Sequence, residues 1–501
     1  MSSTQPLRIL MVSSEAAPVA KAGGLADMVA SLSTHLADLG HDVRLILPYY
    51  SGIEIAITRR FPLRVKVGFR DEELRCCEGL LPQSKVKLYL LDHPLFSARS
   101  GIYGNSESEF FPDNSKRFAL LSRSAFALSS ALDWQPHILH AHDWPTGLAP
   151  IYLRSLESKR NGAQRGDAET VSVFTIHNIG YQGQFSLHDL HYTRLSPRQL
   201  YPGEEQTEEL NYLKTGIANA DYITTVSPQY AREIQTPAYG HGLEGLLSRR
   251  REDLFGVLNG IDTEIWNPEA DPFLKISFSR QDMSGKRKLK RELQKRAGLS
   301  IDPEVPLIGI VSRLVEQKGF KELLEGEPSA LERIVTDLSS QVVILGTGEK
   351  WAEEALRKVN KELAGLSVEV GFSEEMAHLI EAGADFFLMP SRYEPCGLNQ
   401  LYSLRYGTLP IARRTGGLAD TVIDLGSEPQ AANGFLFDEM SGEAIFQTVR
   451  AALDLYRHRP EEIKRLQANG MAADFSWDQS AEHYLDLYRF ALKEGRRQRE
   501  S

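Results

Sequence analysis

The pentapeptide Gly-Gly-Leu-Ala-Asp occurs twice in this chain, as Gly23 to Asp27 and again as Gly416 to Asp420. Basic residues precede each copy: Lys21 in the first, Arg413 and Arg414 in the second. A helix-like run follows each. A glycine pair lets the backbone approach a ligand closely. Free N–H groups at a helix start, beside a cation, suit a phosphate or a sugar oxygen. One such loop is ordinary strand-to-helix turn chemistry. Two, in opposite halves, predict two α/β domains presenting anion-binding loops to one shared cleft.

The apolar pattern agrees. Arg8 to Val12 reads as a buried strand, Leu25 to Leu39 as an amphipathic helix closing at Gly40, and Val43 to Leu47 as the next strand, stopped by Pro48. This is the start of a parallel βαβ sheet. Further strands are expected at Lys85 to Leu91, Ile138 to Ala141, Val171 to Ile176 and Tyr222 to Val226, after which Ser227-Pro228 opens a helix. The pattern repeats at Leu307 to Val311, Gln341 to Leu345, Ser367 to Val370 and Phe386 to Met389, predicting a second doubly wound sheet. The turn signal Asn259-Gly260-Ile261-Asp262 marks the boundary. The expected domains are residues 1–262 and 263–478. A last helix from Gln479, with Tyr484, Tyr488 and Phe490, is expected to pack back on the first domain before a frayed tail from Glu494. The basic run Lys286 to Arg296 reads as a solvated helix face.

At 501 residues the chain is too long for one core. A net charge of −10 argues against a nucleic-acid or anionic-membrane partner, so any anion must be held locally. Three cysteines, Cys76, Cys77 and Cys396, form no disulfide framework and no zinc spacing, which suits a reduced, cytoplasmic setting. The run Ile9 to Val12 is too short for a signal sequence or a membrane span.

Four polar segments follow apolar strands, where open α/β sheets place ligands. In Ile138 to Gly147, Asp143 is placed to accept a sugar hydroxyl or to cap the next helix. His140 and His142 are expected on opposite faces, which argues against a shared metal. Next come His177, Asn178 and Gln182. Arg313 and Lys318 are two cations able to neutralise a diphosphate. Glu394 precedes Pro395 and Gly397, a tight turn into a helix near Leu398. It can bond sugar hydroxyls, face developing positive charge, or serve the helix dipole. There is no Walker-type loop and no Asp-x-Asp. No cofactor and no metal are therefore expected.

These segments, in this order, resemble the bacterial glycogen synthase and plant starch synthase family. The residues that carry the resemblance are Lys21-Ala-Gly-Gly-Leu25, His140-Ala-His-Asp-Trp144, His177-Asn178 with Tyr181-Gln-Gly183, Leu258-Asn-Gly-Ile-Asp262, Ser312-Arg313 with Gln317-Lys-Gly319, Glu394-Pro-Cys-Gly-Leu398 and Arg414-Thr-Gly-Gly-Leu418. The resemblance implies a GT-B fold, two Rossmann-like domains facing across a deep cleft. It implies transfer of glucose from ADP-glucose to an α-1,4-glucan with retention of configuration, so the partners are a nucleotide sugar and a glucan polymer. By position, Glu394, His177, Arg313 and Lys318 would be catalytic. Lys21, Gly23, Gly24, Asn259, Phe372, Leu398, Thr415, Gly416 and Gly417 would bind ADP-glucose. Tyr103, Asp143 and Asn178 would line the glucose and acceptor side. Phe372 falls where the family usually has a tyrosine, and keeps the aromatic face for stacking. Ala22 replaces the commoner Thr and Gly180 the commoner Ala. Rival readings are a GT-B transferase with another nucleotide or acceptor, a non-catalytic binder on the same fold, and a phosphorylase that needs pyridoxal phosphate.

Overall fold

The computed structural model describes residues 5–106, 109–160, 170–201 and 209–500. The chain divides into two compact units. The first comprises residues 1–226, 231–260 and 477–501, and the second residues 227–230 and 261–476. Besides the short excursion at 227–230, the crossings fall at Gly260/Ile261 and Ser476/Trp477, two residues before the boundaries expected from sequence.

The first unit is built on nine strands: β1 (Arg8–Val12), β2 (Asp42–Pro48), β3 (Ile57–Val67), β4 (Arg70–Leu80), β5 (Lys87–Asp92), β6 (Ile138–His142), β7 (Val171–Ile176), β8 (Tyr222–Thr225) and β9 (Leu254–Gly256). Their order is β9-β8-β7-β6-β1-β2-β5-β4-β3. The expectation of a parallel sheet holds from β9 to β5. It fails at β4 and β3, an antiparallel hairpin added at the edge. Buried parallel strands are continuous apolar runs. The hairpin instead alternates charged and apolar residues, because only one of its faces is covered. Helix Gly24–Asp38 follows β1 and buries Leu25, Met28, Val29, Leu32 and Leu36, the spacing of one helical face.

The second sheet holds β10 (Leu307–Val311), β11 (Gln341–Gly346), β12 (Leu366–Val370), β13 (Phe386–Met389), β14 (Leu409–Arg413) and β15 (Phe435–Phe437). It is wholly parallel, in the order β12-β11-β10-β13-β14-β15. Successive side chains on a strand point to opposite faces, and two apolar clusters result. Ile308, Ile310, Phe386 and Leu388 enter one; Leu307, Phe387 and Met389 enter the other. That double core is what a doubly wound sheet requires.

Two expectations are corrected here. In helix Ser284–Arg296 the basic run is only partly solvated. Lys286 is buried, its Nζ donating to the Ala382 carbonyl at 3.0 Å, and Lys290 pairs with Asp385 at 2.7 Å. Burial lowers the Lys286 pKa to about 7. The amphipathic spacing turns these two lysines inward, where a fixed partner replaces water. The tail expected to fray from Glu494 continues as the last turns of helix Trp477–Glu500; Ser501 lies outside the described residues. No helix among the described residues is long and apolar enough to cross a membrane.

Candidate active site

Apart from the antiparallel edge hairpin, the strand order of each sheet reverses once, between β1 and β6 in the first unit and between β10 and β13 in the second. Ligand crevices form beyond the carboxyl ends of strands at such points. Three of the four polar segments read from the sequence leave the sheets there, and the fourth, bearing His177, leaves the neighbouring β7.

Beyond β1 lie Ser13, Ser14 and Glu15. Glu15 is only 3% exposed. Its Oε2 accepts the amides of Ala22 at 2.6 Å and Gly23 at 2.9 Å, and its Oε1 accepts the Tyr103 hydroxyl at 2.5 Å. Burial raises the Glu15 pKa, against the hydrogen bonds that pull it down. Arg117, fully buried, donates to the Ile102 carbonyl at 2.8 Å, and Asn114 donates to the Tyr103 carbonyl at 2.8 Å, so the turn bearing Tyr103 is fixed from below. Sequence reasoning misses Glu15 and Arg117. The only signal is a charged residue beside an apolar strand or within a helix, and many solvated residues share it. The Gly23 amide, expected to face the donor, is taken by Glu15. Lys21 pairs with Asp27 at 2.7 Å and remains more than half exposed.

Beyond β6 and β7 lie the histidines and Asp143. His140 and His142 share a face, contrary to expectation, because residues two apart on a strand point the same way. Their ring centroids are 4.1 Å apart. His140 is hydrogen-bonded to the Tyr488 hydroxyl at 2.7 Å and to Thr175 at 2.6 Å, so it is a structural tie. His142 Nδ1 lies 3.2 Å from His177 Nε2, while His142 Nε2 is buried without a partner. Burial depresses all three imidazoles, His140 and His177 to about 3, so they are neutral at pH 7. Asp143 has φ +56°, a strained conformation for a residue with a side chain. Its carboxylate accepts the His177 amide at 2.9 Å. Burial pushes its pKa up to about 8, against the His177 and Asn178 amides that bind it. Asp143 thus joins the two strand ends and orients His177 and Asn178. Asn178 Oδ1 accepts the Gly180 amide at 3.0 Å. Gln182 is occupied internally by Asn211 and the His241 carbonyl.

In the second unit β10 leads through Arg313 into a single turn, Glu316–Lys318, and β13 leads into Ser391 and Glu394. Lys318 Nζ meets Glu394 Oε2 at 2.5 Å, with side chains 18% and 8% exposed, and Ser391 Oγ donates to the same oxygen at 3.0 Å. The Gly417 amide donates to the Glu394 carbonyl at 3.1 Å and the Thr415 amide to the Arg413 carbonyl at 2.9 Å. The glycine loop therefore rests directly on the backbone of the carboxylate. Among the described residues, no group of three or more His, Cys, Asp or Glu side chains is placed to hold a metal ion.

Known proteins are similar to this chain over nearly its whole length. Residues 8–249 match the family model described as starch synthase catalytic domain, and residues 292–470 match glycosyl transferases group 1. The chain is 43% identical to a glycogen synthase of Treponema denticola, over 97% of this chain and 99% of that one. It is 45% identical to a glycogen synthase of Alkalilimnicola ehrlichii, over 96% and 98%. The chain belongs to the glycogen and starch synthase family. Its fold is GT-B, and it is a glycosyltransferase. The catalytic domain of starch synthase IV from Arabidopsis thaliana, solved with ADP and acarbose, superposes with a TM-score of 0.86 at 31% identity, covering 98% of this chain and all of that one. A sucrose-phosphate synthase from Thermosynechococcus elongatus, at 19% identity and a TM-score of 0.58, shares the fold.

The remaining site residues take distinct positions. Phe372 follows β12 and is 88% exposed, an uncovered aromatic face. Asn259, in the first unit, is buried with its Oδ1 unpartnered, a cost that a ligand or water donor would remove. Leu398 is half-buried at the start of helix Asn399–Arg405. Gly24 opens helix Gly24–Asp38.

Proposed function

We propose that the protein transfers glucose from ADP-glucose to the non-reducing end of an α-1,4-glucan with retention of configuration, in the cytoplasm and without a metal ion. The observation that carries this reading is the Lys318–Glu394 pair. A cation and a carboxylate meet in a nearly dry place, at a strand-order reversal, against the backbone of a glycine loop.

Glycosyl transfer passes through an oxocarbenium-like transition state. Negative charge grows on the leaving diphosphate. Lys318 and Arg313 stabilise it, and preorganised groups of this kind contribute about 2.7–4 kcal/mol each. In the resting protein Glu394 holds Lys318 ready; donor binding exchanges that carboxylate for a phosphate oxygen. Glu394 then faces the positive anomeric centre and the sugar hydroxyls. Ser391 Oγ still donates to its Oε2, which suits Glu394 to stabilise charge rather than to attack. His177 stays neutral at pH 7, so it can bond a sugar hydroxyl without adding charge beside the cationic centre. Retention follows from front-side attack, the leaving phosphate taking the proton of the incoming hydroxyl. Phe372 offers its face to the adenine. Three buried free thiols suit a reducing compartment.

The test is nucleotide release by the purified protein with glycogen primer, comparing ADP-glucose and UDP-glucose in the presence of a chelator. Primer-dependent ADP release is expected. Preferential UDP release overturns the donor, loss of activity with chelator overturns metal independence, and no release of either overturns the reaction.

A further inference from the structure

The amides of Ala22 and Gly23 are the groups that the first glycine loop would turn toward an anion. They already hold one, the protein's own carboxylate at Glu15. The same carboxylate binds the hydroxyl of Tyr103, 88 residues away in sequence, and that hydroxyl lies 2.8 Å from Ser14 Oγ. Three segments thus converge on one buried side chain: the end of β1, the loop bearing Lys21, and the turn bearing Tyr103. Asp27, which pairs with Lys21, lies in the first turn of the helix that this loop opens. A carboxylate without these partners would not remain in so dry a place.

We propose that Glu15 is the positioning residue of the first glycine loop. It clamps the Ala22 and Gly23 amides and the Tyr103 hydroxyl into one rigid unit, so that Lys21 and Tyr103 are presented to the sugar nucleotide in a fixed pose. The proposal rests on the reading that Lys21 and Tyr103 meet the substrates. It assigns the first loop a different chemistry from a phosphate cradle: its inward amides bind the protein, and only its outward groups bind ligand. Misplacement by about 1 Å can reduce turnover about 10²-fold, which sets the scale of the effect.

Two substitutions separate geometry from charge. In Glu15→Gln the amide oxygen can still accept both backbone N–H groups, and its NH₂ can donate to the Tyr103 oxygen, whose own proton turns to Ser14. Glu15→Asp keeps the charge but is one methylene too short to hold all three partners. Positioning predicts that Glu15→Gln keeps kcat/KM for ADP-glucose within about 10-fold of the parent, while Glu15→Asp loses about 10²-fold. Amide exchange at Ala22 and Gly23 should be slow in the parent and in Glu15→Gln, and fast in Glu15→Asp. The reverse activity order, Asp above Gln, overturns the proposal in favour of a charge effect. Unchanged exchange in Glu15→Asp, or parental activity in both variants, also overturns it. If Glu15→Asp does not fold, fast exchange in folded Glu15→Gln overturns the proposal and slow exchange supports it. If the parent does not transfer glucose from ADP-glucose, the substrate reading fails, and the exchange comparison alone decides the role of Glu15.

Discussion

Gly23 has an extended backbone, φ −156°, and a Cβ built there would meet nothing within 4 Å. Gly416 has φ +44°, and a Cβ there would lie 1.9 Å from the Glu394 carbonyl oxygen; one on Gly417 would lie 2.0 Å from that of Cys396. The two sit in the same pentapeptide. In the first copy Gly23 leaves room on one side, and a buried carboxylate binds the Ala22 and Gly23 amides on the other. In the second the pair lets two backbone segments touch. The aspartates differ likewise: Asp27 pairs with Lys21, while Asp420 accepts the Gln229 amide at 2.7 Å. The helix that follows has 15 residues in the first copy and 6 in the second. A short motif therefore specifies a turn into a helix, while its surroundings decide what the turn holds.

The contrast can be broken most severely beside the second copy. Lys318→Met should lower turnover about 10²–10³-fold and, by stranding the Glu394 carboxylate in a dry site, destabilise the protein by about 3–5 kcal/mol. Adding Glu394→Gln should restore much of the stability but no turnover. Thermal unfolding and a turnover assay on both variants check this, and full recovery of activity in the double variant contradicts it. Gly417→Ala should come next. Its Cβ must displace backbone, with a cost of about 1–3 kcal/mol from overpacking and loss of most turnover; parental stability would show that the second loop is as roomy as the first.

Acid should act on the first unit. His140, His142 and His177 bind protons near pH 6.5 when unfolded but far lower when folded. Their contribution is fully present above pH 6.5 and is lost as pH falls toward 3. Each proton bound only by the unfolded chain changes stability by about 1.4 kcal/mol per pH unit. Asp143, raised to about 8, works oppositely, its contribution being lost as pH rises from its unfolded value toward 8. The three histidines outweigh it, so the melting temperature should fall between pH 6.5 and 5; a rise would refute the buried neutral cluster. Smaller still, Phe372→Ala should leave stability unchanged and raise the KM for the donor about 2- to 10-fold, the scale of one aromatic contact. Smallest of all, Gly23→Ala should change stability by no more than about 0.5 kcal/mol, since its Cβ has space.

Much of the fold is legible in the sequence because buried parallel strands are short apolar runs. β1, β7, β10 and β13 have the bounds read from sequence. The β3–β4 hairpin escapes because Arg, Glu and Asp alternate through it, and β15 escapes because three residues give no period. The site is legible as a set of strand ends but not as a set of contacts. Lys318 and Glu394 stand out separately, yet nothing in sequence shows that residues 76 apart neutralise each other. Glu15 escapes for the same reason, since its meaning lies in Tyr103 and in two amides that composition cannot display.

The tie between His140 and Tyr488 sets an order of completion during synthesis. The first unit needs residues 477–501, which are made after every residue of the second unit, whereas the second needs nothing beyond Ser476. The half encoded first is therefore finished last. Until helix Trp477–Glu500 arrives, β6 holds a buried imidazole without its Tyr488 partner, and a chain cut short at Ser476 carries a complete second unit and an unfinished first one.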